Sequence, residues 1–135
     1  MSIAIGDFNN DSKTDIVVAN SKTNDIIVFI GYGNGKFSNS IPYSMGAGSQ
    51  PESIAIGDFN GDNQIDITVA HFGTNNICIL YGRGNGTFTN QTWYPLSYNS
   101  RPSCIVAKDL NNDDREDIAV ASYGTDNVNI LLDIC

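Results

Sequence analysis

The sequence predicts an all-β fold made of β-propeller blades, each a four-stranded antiparallel sheet. Three observations lead to this prediction. The 135-residue chain aligns on itself without gaps when it is shifted by 51 residues, and a period of about 50 residues is the length of one blade. Each repeat contains four short strand-like segments. Three of these segments are almost continuously apolar, whereas the fourth is polar.

The repeats divide the chain into a single repeat domain, 1–135, of about 2.7 blades. Blade 1 is expected over 2–50, blade 2 over 51–101 and blade 3 over 102–135. Blade 3 is expected to lack its outer strand, because 133–135 reads Asp-Ile-Cys where the other repeats begin a glycine-rich hairpin. The prediction is therefore a partial propeller, or half of an oligomeric ring.

The predicted strands of blade 2 are 53–57, 67–70, 76–81 and 87–94. Continuous apolar character in the first three is typical of strands buried on both faces. The segment 82–86 contains an Asn-Gly pair, which favours a hairpin turn. The fourth strand is polar, and its counterpart in blade 1 contains Pro42, so it is expected at the sheet edge. Sheets buried on both faces must stack on one another. Radial stacking gives a propeller, whereas a sandwich would need one polar face per strand.

An acidic loop follows the first strand of each repeat, at 7–15, 58–66 and 109–117. Asp or Asn stands at loop positions 1, 3, 5 and 9 every time. Ca²⁺ takes about 6–8 oxygen ligands, and such side chains can converge on one ion when the backbone wraps around it. With the main-chain carbonyl at position 7, the predicted ligands of three Ca²⁺ sites are Asp7, Asn9, Asp11, Lys13 and Asp15; Asp58, Asn60, Asp62, Gln64 and Asp66; and Asp109, Asn111, Asp113, Arg115 and Asp117.

These loops are predicted to join two strands, unlike EF-hand loops. An EF-hand closes with a Glu at position 12 and is flanked by helices, whereas position 12 here is Val18, Val69 or Val120 within an apolar strand. The alternative is three acidic turns without a metal, since Asp and Asn favour turns. However, the same carboxylates repeated at the same spacing would repel one another without a cation. We therefore expect calcium in a structural role, holding the hairpin between the first two strands.

The acidic composition is concentrated in these loops. They contain eleven of the 15 Asp and Glu residues, nine of which are predicted ligands, and three Ca²⁺ would change the net charge from −8 to −2. The seven Lys and Arg residues are scattered, so nucleic-acid binding is not expected. No long apolar run is present, so no membrane span is expected. No signal peptide is expected in this chain, because a strand-like segment directly follows Met1-Ser2.

The remaining reactive side chains predict no enzyme. The single histidine, His71, aligns with other polar residue types in the other repeats. It is either a base or ligand in the loop after the second strand, or a variable exposed loop residue. Cys78, Cys104 and Cys135 fit no zinc spacing. They are expected to be small buried or terminal thiols, and one disulfide pair is left open.

Strand direction sorts the loops onto two rims. The acidic loops and the Asn-Gly hairpins lie on one, here called the loop rim. The turns after the second strands and the inter-blade connections, at 45–48 and 96–99, lie on the other, here called the turn rim. The turn rim differs most between repeats, and varied loops on a uniform scaffold favour recognition. Its candidate ligand-binding residues are His71, Phe72, Tyr98, Arg101 and Tyr123.

The sequence resembles the FG-GAP and VCBS repeats of integrin α-subunit propellers and many secreted proteins. The matching blocks are 56–62 (IGDFNGD), 66–70 (DITVA) and 81–88 (YGRGNGTF), and blade 1 repeats all three. The usual glycine at loop position 6 is replaced by Ser12, Asn63 and Asp114. The resemblance implies a calcium-containing propeller in an extracellular setting. Glycosylation motifs at 85–87 and 90–92 fit that setting.

Two functions remain open from the sequence. One is a calcium-binding module for adhesion or for binding a protein or glycan ligand. The other is a non-catalytic scaffold fragment of a larger secreted enzyme or receptor. Fewer than three blades should leave apolar faces at both ends, with Ile3 and Ile5 at one and 130–132 at the other. Either two chains assemble head to tail into six blades, or the chain continues into a longer propeller.

Overall fold

The computed structural model describes residues 1–132 and contains eleven strands in three antiparallel sheets. The all-β prediction is confirmed, and the separate three- and four-stranded sheets are consistent with propeller blades. Within the described residues there is no helix long and apolar enough to cross a membrane. The segment 133–135, where blade 3 was expected to lose its hairpin, lies outside the described residues.

The strands of each sheet follow one another in chain order. The first sheet contains β1 (Ser2–Gly6), β2 (Asp15–Asn20), β3 (Asp25–Phe29) and β4 (Ile41–Ser44). The second contains β5 (Pro51–Gly57), β6 (Asp66–His71), β7 (Asn76–Leu80) and β8 (Thr92–Pro95). The third contains β9 (Pro102–Lys108), β10 (Asp117–Ser122) and β11 (Asn127–Leu131). Neighbouring strands in sequence are hydrogen-bonded neighbours in each sheet.

The three sheets stack through two apolar layers. Val17, Val28 and their neighbours on the first sheet pack against Ile67, Val69 and Leu80 of the second. The opposite face of the second sheet packs against the third in the same way. The second sheet therefore has both faces covered, and β6 is buried along its whole length. Alternate residues of each strand point to opposite faces of the second sheet, and both faces are buried. This explains why its strands are continuous apolar runs in the sequence.

The outer strands are shorter than predicted. The segments 36–43 and 87–94 were expected to be continuous, but β4 and β8 begin only at Ile41 and Thr92. Each is preceded by one isolated bridge, at Phe37 and at Phe88. Side-chain hydroxyls explain the interruption. Ser38 Oγ accepts a hydrogen bond from the Ile30 amide at 3.0 Å, and Thr89 Oγ1 accepts one from the Tyr81 amide at 3.0 Å. These hydroxyls replace a carbonyl of the ladder, a competition typical of Ser and Thr.

Candidate functional site

Each acidic loop joins the first and second strands of its sheet. The residues at loop position 6 are Ser12, Asn63 and Asp114, with φ of 62°, 61° and 64°. All three adopt the left-handed conformation that glycine or asparagine usually supplies. The replacement of glycine at this position therefore leaves the loop geometry the same in the three repeats.

The carboxylates at loop positions 1 and 5 accept hydrogen bonds from the backbone of their own loop. In blade 2, Asp58 Oδ1 accepts from the Gly61 amide at 2.7 Å, and Asp58 Oδ2 accepts from the Asn63 amide at 2.8 Å. Asp62 Oδ1 accepts from the Gln64 amide at 2.8 Å. The third loop repeats all three hydrogen bonds. The first loop repeats two of them, and its Asp7 Oδ1 accepts from the Asp11 amide at 3.1 Å. The predicted ligand side chains are thus turned inward, and the backbone wraps around them.

The carboxylate at position 9 connects the first and second acidic loops to the hairpins that follow the third strands of their sheets. Asp66 is fully buried; it accepts hydrogen bonds from the Phe59 amide at 2.9 Å and from the Gly82 amide at 2.8 Å. Asp15 does the same with the Phe8 and Gly31 amides, both at 2.7 Å. Gly82 and Gly31 begin the hairpins after the third strands, so this side chain connects the loop to the hairpin. Sequence spacing gave position 9 as a ligand and missed this second role.

Burial dominates the electrostatics of Asp66. Loss of hydration raises the pKa of its carboxyl group from 3.8 to about 6, against the hydrogen bonds from Gly82 and Phe59. The nearby carboxylates of Asp62 and Asp58 raise the pKa further. The three acidic side chains of this loop therefore lie close enough to oppose each other's ionisation, and a nearby cation would relieve that cost.

The loops offer oxygen atoms from amide side chains and the main chain as well as from carboxylates. Asn9 Oδ1 is buried and has no hydrogen-bond partner in the part of the chain that the structure describes. The equivalent Asn60 Oδ1 accepts a hydrogen bond from the Asp62 amide at 3.1 Å. Within residues 1–132, no three His, Cys, Asp or Glu side chains form a metal-holding cluster by themselves. A site built from these loops would therefore need the Asn and main-chain oxygens as well as the carboxylates, which is the oxygen-only donor set that Ca²⁺ favours.

Contacts between blades place the acidic loops and the hairpins on one rim. Asn10 Nδ2 donates hydrogen bonds to Gln64 Oε1 at 2.7 Å and to the Gly84 carbonyl at 3.2 Å. The Gly86 amide donates to the Phe8 carbonyl at 2.8 Å. The first acidic loop thus contacts both the second loop and the second hairpin, as the rim assignment from strand direction predicts.

The turn rim carries a cleft at the turn after the second strand of blade 2, between the chain segments that lead into and out of that blade. The Arg101 guanidinium carbon lies 5.8 Å from the centre of the Phe72 ring, a cation–π contact. The Arg101 amide donates to Asn75 Oδ1 at 2.9 Å. The cleft has a volume of about 430 Å³. It is lined by Gly48, Gln50, Phe72, Gly73, Asn75, Asn99 and Arg101.

The structure brings together two of the five predicted ligand-binding residues. Phe72 and Arg101 line the cleft, whereas Tyr98 and Tyr123 are 94% and 69% exposed beside it. The sequence prediction missed the polar lining, of which Asn75 and Asn99 are examples. Both residues are left-handed, with φ of 57° and 59°. Asparagine favours this conformation in turns, so the two residue types could have predicted the loop geometry.

His71 corrects the prediction for the turn rim. It is the last residue of β6 and is fully buried, so neither an exposed loop residue nor a surface ligand is correct. Its Nε2 lies 3.2 Å from Cys78 Sγ, and its ring lies 5.1 Å from that of Trp93. Burial lowers its pKa from 6.5 to about 4. Cys78 is a buried free thiol and Cys104 an exposed one, while Cys135 lies outside the described residues.

Comparison with known proteins identifies the repeat. The FG-GAP-like repeat matches residues 7–69 and again 58–120. The chain belongs to the FG-GAP-like repeat family. Each matched segment of the FG-GAP-like repeat begins at the first Asp of one acidic loop and extends through the next loop. Each match therefore contains two acidic loops and the strands between them.

One relative places these FG-GAP-like repeats in a longer protein. The chain is 26% identical over 138 aligned positions to the T-cell immunomodulatory protein of Rattus norvegicus. The alignment covers 96% of the chain and 22% of the relative. The chain therefore spans about a fifth of the length of the relative that it matches. Neither the family description nor the name of the relative denotes an enzyme.

Proposed function

We propose that the chain is a non-enzymatic, calcium-stabilised propeller module that works outside cells and binds a protein or glycan ligand on its turn rim. The observation that carries the proposal is the acidic loop, which recurs three times with the same inward-facing oxygen atoms and a buried carboxylate at its end. FG-GAP-like repeats are typical of extracellular proteins, where calcium is abundant.

Calcium would act on structure and not on chemistry in this proposal. The ion would be held by the side-chain oxygens at loop positions 1, 3, 5 and 9 and by the carbonyl at position 7. Burial is the main cause of the raised pKa of Asp66, and the charge of the ion would offset the carboxylate repulsion that raises it further. Asp66 already connects the loop to the Gly82 hairpin. An ion on the loop would therefore stabilise both the acidic loop and that hairpin.

Removal of calcium tests this role. The melting temperature is measured at pH 7.4 in 1 mM CaCl₂, in 1 mM MgCl₂ and in EDTA. We expect calcium alone to raise it, because a ligand at ~100 times its Kd adds about 2.7 kcal/mol per site. Asp58→Asn should weaken the response by removing one ligand charge, whereas Asp25→Asn, outside the loops, should keep it. Equal melting temperatures in calcium and EDTA would exclude a structural calcium.

Ligand binding is proposed for the turn rim because its exposed aromatics lie around a polar cleft. Aromatic rings with adjacent amides and one guanidinium are typical of recognition surfaces. Binding to a panel of immobilised glycans and extracellular proteins would identify the ligand. We expect Phe72→Ala and Tyr98→Ala to reduce that binding at least tenfold. Tyr32→Ala changes an exposed aromatic on the loop rim and should leave binding unchanged, so equal losses in all three variants would count against the turn rim.

A second candidate function is a scaffold segment of a larger secreted enzyme or receptor. It is favoured by the coverage of only 22% of the T-cell immunomodulatory protein. A scaffold should retain the calcium response and fold without binding any ligand on the turn rim. The binding panel and the calcium melting curves together therefore separate the two candidates.

A further inference from the structure

An imidazole, a thiol and a thioether meet in the apolar layer between blades 1 and 2. His71 Nε2 lies 3.2 Å from Cys78 Sγ, and Cys78 Sγ lies 3.9 Å from Met45 Sδ. Each of these three residues is at most 2% exposed. They include the one histidine of the chain and the one methionine after residue 1. The cluster is therefore enclosed between two blades and collects the rarest side chains of the sequence.

The junction between blades 2 and 3 shows what the repeat places at the same positions elsewhere. The aligned residues there are Leu96, Ser122 and Asn129. Asn129 Nδ2 donates a hydrogen bond to Ser122 Oγ at 2.9 Å, and Leu96 packs against the apolar layer. A leucine and one hydrogen-bonded polar pair thus complete that junction. Stacking of the blades does not require the imidazole, the thiol and the thioether that blades 1 and 2 carry.

Hydrogen bonding does not account for a histidine in this layer. The Nδ1 atom of His71 is buried and has no hydrogen-bond partner in the part of the chain that the structure describes. Its Nε2 atom faces the Cys78 sulfur, which is a weak hydrogen-bond partner. A buried polar group without a strong partner lowers stability. Coordination of a metal ion by Nε2 would give this ring a strong interaction.

We propose that Met45, His71 and Cys78 bind one Cu⁺ ion between blades 1 and 2. Thiolate and thioether sulfurs are soft ligands that select Cu⁺, and imidazole also suits copper. At the bond lengths of a d¹⁰ ion, about 2.3 Å to sulfur and about 2.0 Å to nitrogen, two ligands of one ion lie roughly 3.5–4.0 Å apart. The distance of 3.9 Å between Cys78 and Met45 fits this range. The shorter distance between His71 and Cys78 has to open by a few tenths of an ångström.

The charge of the buried site favours a monovalent ion. Burial raises the pKa of the Cys78 thiol, so the thiol carries its proton before an ion binds. Cu⁺ forms a bond to the sulfur and displaces this proton to solvent, which leaves the site neutral. A divalent ion such as Zn²⁺ would leave one positive charge among apolar side chains, and that charge is costly to bury. Zn²⁺ also takes Cys, His and carboxylate ligands instead of a thioether.

The ion would join two blades, and neither calcium nor a ligand on the turn rim is needed for it. Met45 belongs to blade 1, where its amide donates to the Asn24 carbonyl at 2.8 Å. His71 and Cys78 lie on β6 and β7 of blade 2. Trp93 stands opposite Cys78 on the outer strand, with its ring 5.1 Å from that of His71, and it is 42% exposed. This tryptophan therefore contacts the cluster and solvent, which makes it a reporter of the bound ion.

Competition for Cu⁺ tests the site. The protein carries Cys104→Ser and Cys135→Ser, so that Cys78 is its one thiol. Cu⁺ is supplied as its bicinchoninate complex without oxygen, both to the folded chain and during refolding from urea. We expect one Cu⁺ per chain to move to the protein by at least one of these routes, and we expect the fluorescence of Trp93, the one tryptophan, to be quenched. No transfer by either route would overturn the proposal, as would tighter binding of Zn²⁺ than of Cu⁺.

Substitutions separate the ligands from the packing of the layer. Cys78→Ser, Met45→Leu and His71→Asn should each weaken Cu⁺ binding at least tenfold, since removal of groups that only orient a metal ligand already costs about 10–100-fold. Ile54→Val is the matched control, because it removes a methyl group from the same layer without removing a donor, and it should bind Cu⁺ like the parent. Circular dichroism checks that each variant is folded. Unchanged affinity in Cys78→Ser or Met45→Leu would contradict the site.

A triple variant guards against loss of folding in the single ones. Met45→Leu, His71→Ser and Cys78→Asn together install the residues of the junction between blades 2 and 3, so this variant should fold and bind no Cu⁺. X-ray absorption at the copper edge then identifies the ligands directly. We expect two sulfur neighbours and one nitrogen neighbour in the parent, and one sulfur fewer in Met45→Leu. Copper bound by the triple variant, or a parent site with no second sulfur, would overturn the proposal.

Discussion

His71 is an imidazole enclosed by the layer between blades 1 and 2, where it contacts Cys78 and Trp93. Burial lowers its pKa from 6.5 to about 4, because the charged ring would lose its hydration. Between these two values the unfolded chain binds a proton that the folded chain does not bind. Stability is therefore fully present above about pH 6.5 and is lost as the pH falls towards 4.

This titration predicts a difference between the wild type and His71→Asn, which carries the residue found at this position in blade 1. The free energy of unfolding is measured from urea curves at pH 7.0 and pH 4.5, in EDTA. We expect the wild type to lose about 2–3 kcal/mol more than the variant over this interval. The chain contains one histidine, and both proteins share the same carboxylates, so the difference isolates this ring. Parallel pH slopes would show that His71 is charged in the folded state.

At the scale of the strand and loop, the 51-residue period predicts the conformation and burial that each repeat shares. It does not predict contacts between segments that are distant in sequence. The left-handed conformation at Asn63 follows from its residue type, and the burial of β6 follows from its apolar run. The second role of Asp66 needs the Gly82 amide, which is distant in sequence. The burial of His71 also could not be predicted, because its neighbour Cys78 lies in the layer formed with the preceding blade, where it contacts Met45.

The turns after the second strands depend on a close approach of two backbones. A Cβ at Gly73 would collide with the Gly48 carbonyl, and one at Gly124 with the Asn99 carbonyl. The Gly73 amide also donates to the Ser49 carbonyl at 3.0 Å. At position 73 glycine is required because there is no space for a Cβ, since the φ of Gly73 is not in the left-handed region. Gly48 is the opposite case, with a φ of +75° and no atom close to the place of a Cβ.

This contrast predicts opposite outcomes for two glycine substitutions on the turn rim. Gly73→Ala should lower the free energy of unfolding by about 2 kcal/mol, since backbone cannot move away as a side chain can. Gly48→Asn should change it by less than about 0.5 kcal/mol, because asparagine tolerates the left-handed conformation. Urea midpoints of the two variants in the same buffer provide the measurement. A larger loss for Gly48→Asn would mean that conformation, and not space, selects these glycines.

At the scale of the whole molecule, the apolar layers lie between the blades and the negative charge lies on one rim. Eleven acidic side chains are gathered in three neighbouring loops, and the net charge of the chain is −8. The loops touch one another through Asn10 and Gln64, so the repulsion acts between blades as well as within a loop. Charge on this rim therefore opposes the stacking that the apolar layers favour.

Salt should separate this repulsion from the packing. The Debye length falls from about 30 Å at 0.01 M to about 8 Å at 0.15 M salt, which is enough to screen one loop from the next. In EDTA we expect the melting temperature to rise by ~3–5 °C between 10 mM and 300 mM NaCl, as repulsion worth about 1 kcal/mol is screened. In saturating calcium the same change should be at most ~1 °C, because three bound ions would leave a net charge of −2. Sodium sulfate is not a suitable salt, since it strengthens apolar packing as well. An equal rise with and without calcium would place the repulsion outside the acidic loops, because only their charge changes between the two buffers.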